Sequence, residues 1–159
     1  MSPIWKRKDV RSGFEQRIRK ELDEKAISYT YEKDKLKYVK DLCPKCNEVL
    51  KRGTYTPDFT ITNPDGIRWF LETKGRFTAR DRKKMELVKR SNPSSDIRFL
   101  FQRDHQITAR VRYSDWARQR GFGYAIGETV PNEWLGVDSN EVATVKPKRK
   151  YVRRKAKVQ

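Results

Sequence analysis

Apolar and polar positions change their spacing several times along the chain, and each change marks an element. Phe14, Ile18 and Leu22 recur at helical intervals behind Ser12-Gly13-Phe14-Glu15. That S-x-x-E form is a capping box, so a helix is predicted over 13–25. Residues 28–32 and 36–39 are β-prone and separated by Lys33-Asp34-Lys35, which predicts two strands or one bent ribbon before Cys43-Pro44-Lys45-Cys46. Residues 54–62 and 67–73 are rich in Thr, Tyr, Phe, Ile and Trp on either side of Asn63-Pro64-Asp65-Gly66, the pattern of a β-hairpin. Thr78 is placed to cap a helix running to about residue 91, with Met85 and Val88 inward. Beyond the Asn92-Pro93 break, 97–101 is a continuous apolar run that reads as a buried strand, and Ser114 is read as the cap of a short helix ending near Gly121. The order α, β, β, α, β, α, β predicts an α/β fold.

The length of 159 residues suits one domain. Leu, Ile, Val and Phe supply 34 of those residues, close to the ~20% below which a highly charged chain struggles to build a core. Burial against a second copy would help. The 38 Lys and Arg against 21 Asp and Glu leave a formal charge of +17, which calls for a polyanionic partner, nucleic acid before others. No run approaches the ~20 apolar residues of a membrane span, and Met1-Ser2-Pro3-Ile4-Trp5 lacks the apolar centre of a signal peptide. A cytoplasmic protein with no membrane partner is expected.

Charge also divides the chain. Residues 1–11 carry Lys6, Arg7, Lys8 and Arg11 against Asp9, as an arm that touches phosphate does, or as a merely solvated start. Residues 12–135 form the folded domain. Residues 136–159 read as a flexible basic tail, with eight Lys or Arg and no acid from 146 onward. On the helix after Thr78, Arg80, Arg82, Lys83 and Lys84 are candidates for phosphate contact.

The hairpin carries the candidate chemistry. If positions summing to about 129 face one another, Asp58 and Glu72 fall within one rung, and a bulge beside Pro57 would align them. Glu72 and Lys74 leave the strand on one face, whereas Thr73 points away and offers its main-chain carbonyl. Two converging carboxylates repel unless a divalent cation joins them, and Mg²⁺, or Mn²⁺, would there bind a scissile phosphate and a water together. Lys74 would orient that water or offset charge. The same spacing also suits an exposed charge pattern with Asp58 as a turn acid, and the capping box alone accounts for Glu15.

Pro57-Asp58, thirteen intervening residues and Glu72-Thr73-Lys74 resemble the PD-(D/E)xK signature of restriction-endonuclease-like nucleases. With Arg11-Ser12-Gly13-Phe14-Glu15, Thr54-Tyr55-Thr56-Pro57-Asp58-Phe59, Glu72-Thr73-Lys74-Gly75 and Asp81-Arg82-Lys83-Lys84 in that order, the chain resembles the phage endonuclease I family of Holliday-junction resolvases. Asp96-Ile97-Arg98 and Pro131-Asn132-Glu133-Trp134 extend the likeness to roughly residues 11–135. The resemblance implies a restriction-endonuclease-like core with a central mixed β-sheet flanked by helices. It implies metal ligation by Asp58, Glu72 and the Thr73 carbonyl, with Lys74 and Glu15 catalytic. It further implies a domain-swapped homodimer, joined by a β-bridge near 36–54, in which Glu15 completes the partner's site and two sites cut a branched double-stranded DNA during recombination in an infected bacterial cell.

Residues 41–53 are longer than the bridge this family leads one to expect, and they hold both cysteines. Cys43 and Cys46 give two thiolates where a structural Zn²⁺ needs four ligands, and the one histidine, His105, is distant in sequence. Two antiparallel bridges would assemble four cysteines between protomers; free, reduced thiols are the other reading. Two rival functions also fit the residues: a non-enzymatic basic DNA-binding protein, and a related nuclease acting on linear or mismatched duplex.

Overall fold

The computed structural model describes residues 12–137. The arm residues Lys6, Arg7, Lys8 and Arg11, and the tail beyond Val137, lie outside the described residues. Helix α1 (Gly13–Glu24) begins where the Ser12 side chain accepts the Glu15 N–H, and it buries Phe14, Ile18 and Leu22. Strands β1 (Ser28–Tyr31), β2 (Leu36–Leu42), β3 (Val49–Tyr55), β4 (Phe59–Thr62) and β5 (Arg68–Lys74) precede helix α2 (Ala79–Ser91). Then come β6 (Ile97–Phe101), β7 (Gln106–Thr108), β8 (Val111–Arg112), α3 (Tyr113–Gln119), β9 (Gly123–Ile126) and the short α4 (Asn132–Leu135).

Five strands form a central mixed sheet in the order β1-β4-β5-β6-β9, antiparallel from β1 to β5 and parallel from β5 to β9. Helices cover both faces. On one face α1 and α4 pack Phe14, Ile18, Leu22 and Leu135 against Phe59, Ile61, Trp69, Leu71 and Leu100. On the other, α2 and α3 pack Met85, Val88 and Trp116 against Ile97, Phe99 and Phe101, around a fully buried Phe77. Each such side chain contributes about 1.5–3 kcal/mol on burial. Because β6 is covered on both faces, its sequence is apolar without alternation, as a buried parallel strand should be.

Three expectations are corrected. The predicted strand over 54–62 is interrupted: the chain leaves the β2–β3 ribbon after Tyr55 and joins the central sheet only at Phe59. Proline at position 57 lacks the N–H a continuous strand would use. Second, the hairpin register pairs Phe59 with Leu71 and Thr62 with Arg68, one residue away from the predicted sum. The extra residue sits at the turn, where Gly66 takes a left-handed φ of 83° and Asn63 donates to the Ile67 carbonyl at 2.9 Å, so no bulge beside Pro57 is needed. Third, Ser114 does not cap α3. It lies within the first turn and donates through its N–H and hydroxyl to Asp104, while Asp115 accepts the Arg112 N–H.

The β2–β3 ribbon docks on α2 of its own chain: Ser91 Oγ accepts the Val39 N–H at 3.0 Å, and Asn92 Nδ2 donates to the Lys37 carbonyl at 3.0 Å. Gly53 faces Tyr38 across this ribbon, and an added Cβ there would stand 2.6 Å from the Tyr38 ring. Only glycine leaves that ring its place.

Candidate active site

The end of β5 and the Thr56-Pro57-Asp58 connection meet the first turn of α1 and the first turn of α2 around a polar cavity of about 530 Å³. Asp58, Glu72 and Lys74 line it with Glu15. Glu72 is 5% exposed. Its Oε1 is 2.8 Å from Lys74 Nζ, and its Oε2 accepts the Tyr55 hydroxyl at 2.6 Å. Asp58 Oδ2 accepts both the Thr73 N–H and the Thr73 hydroxyl at 2.8 Å. Thr73 therefore does more than the sequence suggested, since its side chain also reaches Asp58. In an extended strand a residue's N–H and C=O leave by the same edge, so the Thr73 carbonyl also faces the edge where β4 ends, on the side of Asp58.

Burial of Asp58, with the Glu72 carboxylate beside it, pushes its carboxyl up to about 8 against the pull of the Thr73 hydrogen bonds. The Tyr55 hydroxyl is raised well above its ordinary value by burial and by Glu72, so it remains a donor. Burial works against the Lys74 ammonium, but Glu72 outweighs it and holds the group above its usual value. Glu15 accepts the Tyr31 hydroxyl at 2.8 Å and the Ser12 hydroxyl at 3.2 Å. Ser12 caps α1 by accepting the Glu15 N–H, while the Glu15 carboxylate faces the cavity beside Asp58 and Glu72 of its own chain.

A second cavity of about 870 Å³ shares Thr54, Asp81 and Lys84 with the first. Lys40 and Lys51 from the ribbon, with Arg80, Lys83 and Lys84 from α2, make it a cationic groove. Three of the four helix residues singled out in the sequence line it. Arg82 instead turns back and donates to the Phe77 carbonyl at 2.7 Å.

The sequence profile of the phage endonuclease I family matches residues 2–154. The chain belongs to that family. Endonuclease I of Escherichia phage T7 is 35% identical over 143 residues, which are 88% of this chain and 87% of that protein. Endodeoxyribonuclease 1 of Enterobacteria phage T3 is 34% identical over 118 residues, 72% and 70% of the two chains. As a member of the phage endonuclease I family the chain is a nuclease enzyme.

In this endonuclease, spacing along the sequence picked out Asp58, Glu72 and Lys74, and the structure brings them together. It missed the two tyrosines that hold the carboxylates, Tyr55 on Glu72 and Tyr31 on Glu15, because each pair is made across elements. It also missed Lys40 and Lys51, whose only signal was their charge. The donor set of one buried carboxylate, one half-buried carboxylate and a main-chain carbonyl is the hard oxygen chemistry a Mg²⁺ or Mn²⁺ ion takes. Among the described residues no three Asp, Glu, His or Cys side chains already stand as a ligand cluster, so such an ion would complete its shell with water or phosphate, as Mg²⁺ commonly does. On this chemistry the residues fit a divalent cation.

Proposed function

We propose that this endonuclease is a divalent-metal-dependent homodimer with a restriction-endonuclease-like core that resolves four-way (Holliday) DNA junctions by paired phosphodiester hydrolysis, in DNA recombination within the cytoplasm of an infected host. The observation that carries this reading is the meeting of Asp58, Glu72 and Lys74 in one cavity that shares a wall with a groove of lysines and arginines. Asp58, Glu72 and the Thr73 carbonyl would hold Mg²⁺ or Mn²⁺. Such an ion supplies an activated water and neutralises charge on the phosphate.

The chain's own groups do the rest. Lys74, charged and 2.8 Å from Glu72, is placed to donate to the attacking water or to a phosphate oxygen. Tyr55 fixes Glu72 in one rotamer, and the Thr73 amide and hydroxyl fix Asp58. Glu15, at the cavity mouth, can accept the proton released by the water. The groove holds the backbone of a duplex arm through Lys40, Lys51, Arg80, Lys83 and Lys84, a sequence-independent contact suited to a substrate defined by shape.

Two opposed cuts need two sites, hence the homodimer. The resemblance implies that α1 crosses to the partner. In the single chain, the longer 41–53 segment closes β2 and β3 into a hairpin, which favours a dimer whose sites are each built from one chain.

The test is cleavage of a four-way junction and of a linear duplex of matched sequence with Mg²⁺, beside Glu72→Ala and metal-free controls. Paired symmetric cuts in the junction alone, absent from both controls, are expected. Equal cutting of both DNAs would replace the junction reading with a linear-duplex nuclease, and cutting without metal would remove the cation from the mechanism.

A further inference from the structure

The tip of the β2–β3 hairpin carries chemistry that DNA cleavage does not use. Cys43 and Cys46 are both free thiols, the first half-buried and the second exposed. Cys43 N–H donates to the Glu48 carbonyl at 2.8 Å, Asn47 N–H donates to the Cys43 carbonyl at 2.9 Å, and Asn47 takes a left-handed φ of 59°. One tight turn therefore presents both sulfurs.

A structural zinc takes four ligands in a tetrahedron. Among the described residues no third Cys, His, Asp or Glu side chain joins this pair in a metal-holding group. His105, the one histidine, packs against Tyr113. Thiolates for the two missing places come from a second chain, because Cys43 and Cys46 are the only cysteines in this sequence. The surface around the turn indicates which: Leu42 and Leu50, immediately outside it, are 42% and 60% exposed and are two of only four large exposed hydrophobics among the described residues. A contact about a twofold axis would present the same two thiols and the same two leucines again, completing the ligand set and covering the apolar pair together.

We propose that two copies of this chain meet hairpin tip to hairpin tip, and that Cys43 and Cys46 from each close one four-thiolate zinc site on the twofold axis. Binding releases up to four thiol protons to solvent and involves no change of oxidation state. The proposal shares with the proposed function only the homodimer; it is independent of the active site.

The purified full chain, incubated with excess zinc and passed through a desalting column, is expected to retain about one zinc per two chains, since each chain supplies half of four ligands. The cobalt-substituted protein is expected to show the intense visible bands and sulfur-to-metal charge transfer of a four-thiolate tetrahedral site. Cys43→Ser/Cys46→Ser should lose both and shift the sedimenting species towards monomer. Glu72→Ala should keep full zinc, which separates failure here from failure of the nuclease reading. No retained zinc, or one zinc per chain with a two-thiolate cobalt spectrum, would overturn the proposal, and both results come from the parent protein even if the double variant does not fold.

Discussion

A carboxylate buried beside another carboxylate destabilises the fold unless a proton or a cation joins it, and Asp58 stands in that position next to Glu72. Its value of about 8 lies above the ordinary carboxylate value of about 4. The protonated form therefore contributes stability that is full at low pH and is lost as pH rises through 8. In metal-free protein, Asp58→Asn is expected to melt several degrees above the parent near pH 8, with the gap narrowing as pH falls and closing by about pH 4, while cleavage is abolished at every pH. Melting curves at the two pH values check this, and an equal gap at both would mean that Asp58 carries its charge without strain. Tyr55 acts one step further out. Removing its hydroxyl leaves the buried Glu72 Oε2 without its donor, so Tyr55→Phe should lower turnover by about 10–100-fold, the usual effect of losing a group that orients a metal ligand. An unchanged rate in a single-turnover assay would take Tyr55 out of the site.

Helix α2 and the β2–β3 ribbon work as a pair of walls, and their charges divide by where they point. Lys51→Ala and Lys83→Ala are expected to weaken junction binding and to flatten the dependence of log K on log salt by about 0.9 for each phosphate no longer neutralised. Arg82→Ala should leave that slope alone and instead lower the melting temperature, because its guanidinium is spent on the Phe77 carbonyl. Salt titrations of the three variants decide the matter, and a slope change for Arg82 alone would reverse the assignment. Helical periodicity could not distinguish Arg82 from its neighbours, since the carbonyl it meets lies outside the helix. The same limit runs through the other elements. Strong local signals placed α1, α2 and β6 to within a few residues, and the Asp58, Glu72, Lys74 spacing survived because all three sit on one hairpin. What depends on a backbone angle or a distant partner was not legible: the extra turn residue at Gly66, the break at Pro57, Ser114 drawn to Asp104, and Tyr55 and Tyr31 on their carboxylates.

At the scale of the whole molecule, the open matter is which chain's Glu15 serves which pair of carboxylates. Exchange of an identical element reuses identical contacts, so α1 packed on Phe59, Ile61 and Leu71 looks the same in either arrangement; the difference lies in the hinge. Here β2 and β3 pair from Leu36–Tyr55 to Leu42–Val49, and the Cys43 N–H closes the tip on Glu48. Opening that turn would forfeit the ribbon and the thiol pair at its end. Glu15 is therefore expected to act within its own chain. Glu15→Gln and Glu72→Gln, each inactive alone, can be co-refolded to form mixed dimers. Without exchange, every site in a mixed dimer contains one of the two lesions and no cleavage returns. With exchange, one site in each mixed dimer collects both lesions and the other is intact, so nicking of one strand per junction would reappear. Absence of nicking, with mixed dimers verified by differently tagged chains, supports two self-contained sites. Recovery would show that α1 crosses, as the family resemblance implies, and that the hairpin opens in the dimer.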